Sequence, residues 1–398
     1  MSEIFHEQLQ ALRTQSLYRK LREIGSAQGA EVDLIGEHLV NFSSDDYLGL
    51  ANDPLLRDAA TAAIAEFGVG SGASRLLTGT QPPHVRLEAA LAKWQGAAAA
   101  LSFNSGYAAA VGAIPALVGK HDVIVLDKLC HGALLDGAKL SGATVRAFAH
   151  NHLGKLESHL EGARREHPEG RLLVVTESVC SIDGDRAPLR QLVALKRRYG
   201  AILLVDESHA VGVIGANGRG IAAEENIACE VDVQIGSLGK ALGVSGGFVC
   251  GSRSLIEWLV NRARPFIFSS APPPALAAAA NAALGFLNSE AGEQRRFTLW
   301  RRIEALRMRF AENRIPNAGA TVNGSAIHAV MVGDERTAIE LSRALRADGF
   351  LVPAIRYLLV AKGAARLRIS ITAAHTDEQL RRLAETLGRL RPELASAA

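Results

Sequence analysis

Two stretches decide the reading of this chain: AILLVDESHA at 201–210 and VDVQIGSLGKALGVSGG at 231–247. Each is a short apolar run that ends abruptly in polar residues, the first in Asp206, Glu207, Ser208 and His209, the second in Ser237 and Lys240. Such a run, bounded by turn residues, predicts a buried parallel strand whose carboxyl-terminal end opens onto a crevice. The same rhythm extends outward through AAAALSF (97–103), DVIVLD (122–127), TVRAFAH (144–150), RLLVVTES (171–178) and GGFVCG (246–251), with polar turns and helical text between them. It predicts an α/β fold, a mostly parallel central sheet with helices on both faces. After Pro272 to Pro274 comes a long Ala-rich helix, then charged helical text at 293–314, strand-like SAIHAVMVG (325–333) and ARLRISITAA (365–374), and a helix within 376–390. This part reads as a smaller C-terminal α+β domain. The boundaries are an N-terminal helix and strand segment over 1–45, a large domain over 46–288 that carries these strand ends, and the small domain over 289–398.

Composition narrows the class. The chain has 398 residues, 48% hydrophobic and 21% charged, with a formal net charge of +3. That balance excludes disorder and gives no reason to expect nucleic acid or a membrane surface as partner. No segment offers about 18 uninterrupted apolar residues. The opening 25 residues carry Glu3 and Glu7 and no apolar core, so they read as an amphipathic helix with a basic second half rather than a secretory signal. Cys130, Cys180, Cys229 and Cys250 lie far apart at apolar, strand-like positions without a CxxC pair, which predicts buried free thiols in a cytoplasmic protein.

The strand ends carry the candidate chemistry. A lysine after one strand and an acid after another, Lys240 and Asp206, are the two handles that pyridoxal phosphate needs: an amine for a Schiff base and a carboxylate that keeps the ring nitrogen protonated. Alone, each has an ordinary alternative, a surface lysine beside glycines and an acid capping the next helix. SFNSGYAAA (102–110) turns from strand to helix at Ser105, Gly106 and Tyr107, where free N–H groups and the helix dipole suit a phosphate, and Ser237 could add a hydroxyl. A plain strand-to-helix turn has the same pattern. His131 follows another strand on the same edge, as a functional group or as a cap. Ser181 and Asp183 follow a fourth, where Asp183-Gly184-Asp185 also spells a tight turn.

Taken together, NFSSDDYLGLA (41–51), GSGASRLLTGT (70–80), DKLCHGALLDGAKLSGA (127–143), TESVCSIDGDRAPL (176–189), VDESHAVGVIGANGRG (205–220), GSLGKALGVSGG (236–247), RPFIFSS (264–270) and PAIRYLLVAKGAARLRISITAAHT (353–376) resemble, in this order, the motifs of the α-oxoamine synthases, fold type I pyridoxal-phosphate transferases. The resemblance runs from about Tyr18 to Glu385. It implies that Lys240 carries the cofactor and Asp206 pairs with its ring nitrogen, while His209 bonds the ring hydroxyl and His131 stacks on the ring. It also places Ser181 beside the cofactor and gives the phosphate to Gly106, Tyr107 and Ser237. Ser269 and Ser270 would reach the phosphate of a partner subunit, so a homodimer with shared sites is expected. Arg356 matches the arginine that binds the amino-acid carboxylate as a bidentate fork. The implied reaction is an acyl transfer that joins alanine to a pimeloyl thioester for biotin synthesis, with glycine C-acetyltransferase as the near relative. Arg13, Arg19, Lys20 and Arg22 would meet coenzyme A phosphates or an acidic acyl carrier protein, or else form a solvated helix face.

Two positions depart from the family pattern. Asp45 stands where an asparagine usually helps to hold the substrate, and Leu359 stands where a threonine usually touches it. A second anion beside a carboxylate substrate repels it, and an apolar side chain in place of a hydroxyl predicts a drier pocket that favours a long acyl chain.

Overall fold

Seven of the apolar runs form one sheet in the computed structural model of the chain, which describes residues 2–15, 17–315 and 324–390. The strands are β1 (Ala99–Phe103), β2 (Val123–Asp127), β3 (Thr144–Phe148), β4 (Leu172–Glu177), β5 (Ile202–Asp206), β6 (Val233–Ser237) and β7 (Gly247–Gly251), in the spatial order β1-β7-β6-β5-β4-β2-β3. β2 to β6 run parallel, and β7 is antiparallel to both β1 and β6. The nine residues between β6 and β7 are too few for the crossover that a parallel pair requires, so the chain must turn back. As a result β1 to β6 all end on one edge. Every residue of β2, β4 and β6 is buried, as continuous apolar strands covered on both faces should be. One face packs on the helices Gly106–Leu117, Gly132–Leu140 and Arg253–Arg262. The helices Leu153–Glu166 and Leu189–Tyr199 pack against strands of the same sheet. Small residues let the first two helices approach closely; a Cβ added at Gly137 would lie 3.0 Å from the carbonyl oxygen of Ala110.

The chain divides into two units, a larger one of 45–181 and 185–298 and a smaller one of 1–44, 182–184 and 299–398. Sequence reading set apart a segment 1–45 and a boundary at 288; the contacts instead join 1–44 to the C-terminal part and move the boundary to 298. The physical reason is strand pairing. Glu37–Asn41, folded back on Glu31–Leu34, pairs in parallel with Phe350–Leu351. The smaller unit has a second sheet in which Ala365–Ser370 lies between Ile327–Gly333 and Ala354–Ile355, with helices Glu335–Ala347 and Asp377–Arg389. It is the expected α+β body.

Two local expectations need correction. The first helix spans Ser2–Thr14 only, and Tyr18 to Arg22 continue without regular secondary structure rather than as the basic half of a helix. Long-range bonds hold this non-helical segment: Arg19 Nη2 donates to the Tyr357 carbonyl at 3.3 Å and Arg356 Nη2 to the Tyr18 carbonyl at 3.4 Å. Cys130, Cys180 and Cys250 are buried free thiols, but Cys229 is exposed in the short 3-10 helix Ala228–Glu230. Among the described residues no helix is long and apolar enough to cross a membrane.

Candidate active site

The shared edge of β1 to β6 collects the strand-end residues into one place. Ser105 caps the helix Gly106–Leu117 by accepting from the Ala108 N–H at 3.0 Å. The N–H groups of Gly106 and Tyr107, at the first two helical positions, have no upstream helical carbonyl to receive them and present the positive end of the dipole. Ser237, at the end of β6, lies against this turn: a Cβ on Gly106 would sit 3.7 Å from the Ser237 Cβ. Gly247 makes the approach possible, because a Cβ there would be 2.6 Å from both the nitrogen and the Cα of Gly106. The result is a backbone cradle for an anion. The ring of Tyr107 is half exposed, with its hydroxyl donating to Asp136 Oδ2 at 3.1 Å.

Asp206 ends β5 in a buried position, with its Oδ1 accepting from the Ser208 N–H at 2.8 Å. Lys240 follows β6 and is partly buried, the chain reversing after it through a 2.8 Å bond from Gly243 N–H to its carbonyl. His131 caps the helix Gly132–Leu140, its Nδ1 accepting from the Ala133 N–H at 3.2 Å, so the cap reading holds as well. Enclosure and then the Lys240 charge lower its pKa, while Asp206, Asp45 and Asp136 pull the other way. The histidine therefore feels both Lys240 and Asp206. His209 is buried, with its Nδ1 2.6 Å from the hydroxyl of fully buried Tyr47, which also lies 3.3 Å from Asp45 Oδ1. Ser270 is exposed; its carbonyl accepts from Asn104 Nδ2 at 3.1 Å, and it bridges to Ser74, while Ser269 is half-buried.

Two side chains that contact the candidate residues escape the sequence reading. Glu177 ends β4 in register with Asp206 and is buried, its Oε2 accepting from the Ser181 hydroxyl at 3.2 Å. Burial and then the Asp206 charge push its carboxyl up to about 8, against the lowering pull of Lys240. The signal was present, since TES at 176–178 ends a strand as DES does at 206–208. Tyr47 reads as a core aromatic, and nothing local marks its hydroxyl as the partner of a histidine 162 residues away.

The remaining candidates belong to the smaller unit. Asp183 forms an ion pair with Arg366, and Gly184 adopts φ +75° beside Ile327, so Asp183-Gly184-Asp185 is the tight turn and Asp183 is not part of the edge site. Arg356 lines a cavity of about 1070 Å³ together with Arg13, Arg19, Lys20, Arg22 and Leu359. Burial, followed by the charges of Arg19 and Arg22, lowers its pKa. Leu359 is 57% exposed within this unit.

A planar ring carrying an anionic group fits the edge. The Gly106 turn would take the anion, the buried Asp206 carboxylate would accept from a ring nitrogen, and Lys240 would supply the amine. The sequence pattern of the aminotransferase class I and II family matches residues 37–387, and the chain belongs to that family. Within it, the chain is similar to the 8-amino-7-oxononanoate synthase of Geobacter sulfurreducens, 44% identical over 389 residues that cover 97% of each chain. Among solved structures, the serine palmitoyltransferase of S. paucimobilis with bound PLP-myriocin aldimine superposes with a TM-score of 0.91 at 30% identity over 98% of both chains. The 8-amino-7-oxononanoate synthase of Francisella tularensis gives 0.75 at 27% identity, covering 88% of this chain and 97% of its own. Both kinds of relative are α-oxoamine synthases, in agreement with the motif resemblance.

Proposed function

We propose that the chain catalyses the decarboxylative condensation of L-alanine with a pimeloyl thioester, giving 8-amino-7-oxononanoate, carbon dioxide and a free thiol, with pyridoxal 5′-phosphate as cofactor. The observation that carries this reading is the convergence of Lys240, Asp206 and His131 beside the Gly106 cradle, on a chain 44% identical to an enzyme of that name. When bound, the cofactor supplies a protonated ring that accepts the electron pair left at the amino-acid α-carbon.

Each residue then has a physical task. Gly106 and Tyr107 N–H groups and the Ser237 hydroxyl would hold the phosphate. Asp206 would keep a proton on the ring nitrogen, and His209, itself fixed by Tyr47, would bond the ring hydroxyl. Ser181, held by Glu177, would lie beside the ring. Lys240 would hold the cofactor through its amine, and the same amine is the base for the alanine α-proton. The α-carbon bonds to the thioester carbonyl carbon as the thiol leaves, and the carboxylate departs as CO2 before a proton returns. His131 would pack on the face of the ring and donate to the acyl oxygen. The Arg356 fork takes the alanine carboxylate, and the surrounding cations suit the anionic end of coenzyme A or an acidic acyl carrier protein.

The enzyme works as a cytoplasmic homodimer in which Ser269 and Ser270 reach the partner's phosphate. In support, Val69, Leu76, Leu77 and Phe268 are exposed apolar side chains on the two segments joined by the Ser74 to Ser270 bridge. The test crosses alanine, glycine and serine with acetyl and pimeloyl thioesters while following free thiol and CO2. Alanine with pimeloyl thioester should turn over fastest. A preference for glycine with acetyl thioester would make it a glycine C-acetyltransferase, and a keto acid released without thiol would make it an aminotransferase.

A further inference from the structure

Farther along the same sheet edge lies a cluster of ionisable groups that the reaction above leaves unused. His150, just past β3, has both ring nitrogens against carboxylates: Nδ1 is 2.8 Å from Asp127 Oδ1, and Nε2 is 2.9 Å from Asp185 Oδ2. A carboxylate can only accept, so both nitrogens must donate, and the ring is an imidazolium. Burial alone would lower its pKa, but the two hydrogen bonds and charges raise it to about 10. Asn151 completes the cluster, its backbone N–H donating to Asp127 Oδ2 at 3.0 Å and its Nδ2 to Asp185 Oδ2 at 2.8 Å.

Each carboxylate shapes a loop that ends at a site residue. Asp127 ends β2, is buried, and its Oδ1 also accepts from the Leu129 N–H at 2.8 Å, which starts the turn leading to His131. Asp185 stands at the base of a small hairpin after β4, in which Val179 bridges to Arg186 and the Cys180 N–H donates to the Asp185 carbonyl at 2.9 Å. Ser181 is the next residue along that hairpin. Because β3, β2, β4 and β5 are consecutive in the sheet, the linkage runs from His150 through Asp127 and Asp185 to Ser181 and Glu177, and Glu177 stands beside Asp206.

We propose that His150 is a positioning residue, a cation clamped between Asp127 and Asp185 that fixes the two loops presenting His131 and Ser181. The roles of those two residues rest on the proposed function; the clamp itself does not. Together with Cys180, His150 and Asp185 place one ligand atom each within 4.8 Å of one another, a geometry that a zinc ion could also use. Protons donated from both ring nitrogens to carboxylates already fill it, so a metal would have to displace the clamp.

Two variants test the clamp. His150→Leu removes the cation, and Asp185→Asn keeps the size and one acceptor oxygen, so that a fold survives even where the first variant loses it. Three readouts are taken: hydrogen exchange of peptides covering 128–134 and 178–187, affinity of the cofactor-free protein for pyridoxal phosphate, and kcat with KM for both substrates. Loss of a charge-assisted pair should speed exchange in both loops about tenfold or more, raise the cofactor Kd about tenfold, and lower kcat by a similar factor. KM should stay within about twofold, whereas a purely structural role would lower Tm and leave kcat per folded site unchanged. Unchanged loop exchange and cofactor affinity in both variants would overturn the proposal, and so would one equivalent of zinc in the wild-type protein that His150→Leu loses. Wild-type protein that binds no pyridoxal phosphate would overturn the functional reading instead, and the exchange data would still report on the clamp.

Discussion

The sheet edge of the larger unit gathers acids that are dry, and the cavity of the smaller unit gathers cations that are wet. Asp127, Glu177, Asp206 and Glu207 are all at least nine-tenths buried. Arg19, Lys20 and Arg22 are exposed, and Arg356 is partly so. Removed from water, a carboxylate must be satisfied by N–H groups, by a cation or by a proton, and neighbouring acids then divide protons unequally. Glu207 is held by Ser178 Oγ at 2.5 Å and the N–H groups of Ile221 and Ala222 at 3.1 and 2.8 Å, whereas burial and the neighbouring Asp206 charge raise the pKa of Glu177. Cations in a water-filled cavity repel one another only weakly and remain available to an anion. The first arrangement tunes proton affinity and the second leaves cations open to an anionic ligand, so substitutions in the two places should fail differently.

The largest effect belongs to the dry edge. Asp206→Asn should fold normally by circular dichroism yet lose roughly one to two orders of magnitude in kcat, because a neutral amide cannot hold the ring proton. Unchanged kcat would transfer that role to Glu177 and break the division of labour. At the wet cavity the damage should appear in binding: Arg356→Ala should raise the alanine KM about tenfold or more with a much smaller change in kcat, and Arg356→Lys should fall between, since an ammonium lacks the fork. Equal losses in kcat for Arg356→Ala would erase the contrast.

Two smaller effects sharpen it. Asp45 acts on His131 from the acid side, so Asp45→Asn removes an anion near the substrate and should lower the alanine KM by about threefold. An unchanged KM would mean that its carboxylate faces away from the substrate. Glu177 makes the protein's stability pH-dependent. Its folded-state value of about 8 exceeds the ordinary 4.5, so between these values the folded state holds a proton that the unfolded chain has released, and stability falls as pH rises through that window. Glutamine does not titrate. In the cofactor-free protein the Tm of Glu177→Gln relative to wild type should therefore climb from about pH 5 to about pH 8, and a flat difference would show that the edge acids do not share a proton.

What was legible in the sequence follows from what an apolar run can encode. Runs such as LLVVTE and ILLVD announce buried strands and mark the ends where polar residues begin, so Asp206, Lys240, His131 and Ser181 could be assigned to one edge. A run carries no direction, and the reversal at β7 was recoverable only from the length of the preceding loop. Non-local partners were invisible. The basic text at 18–22 is helical in composition, yet it bonds to Tyr357 and Arg356, more than 300 residues away, and forms no helix. Glu177 and His150 were missed for a similar reason: each looks like a polar residue closing a strand, and only the order β3, β2, β4, β5 brings them into one line of charges.

The amine that carries the cofactor on this edge decides the chemistry of the site. Borohydride reduction of the purified yellow protein, followed by proteolysis and mass spectrometry, reads this directly. The prediction is a single pyridoxyl adduct on the peptide containing Lys240, absent from Lys240→Ala together with the colour and the turnover. An adduct on another lysine, or a protein that takes up no cofactor on reconstitution, would contradict it.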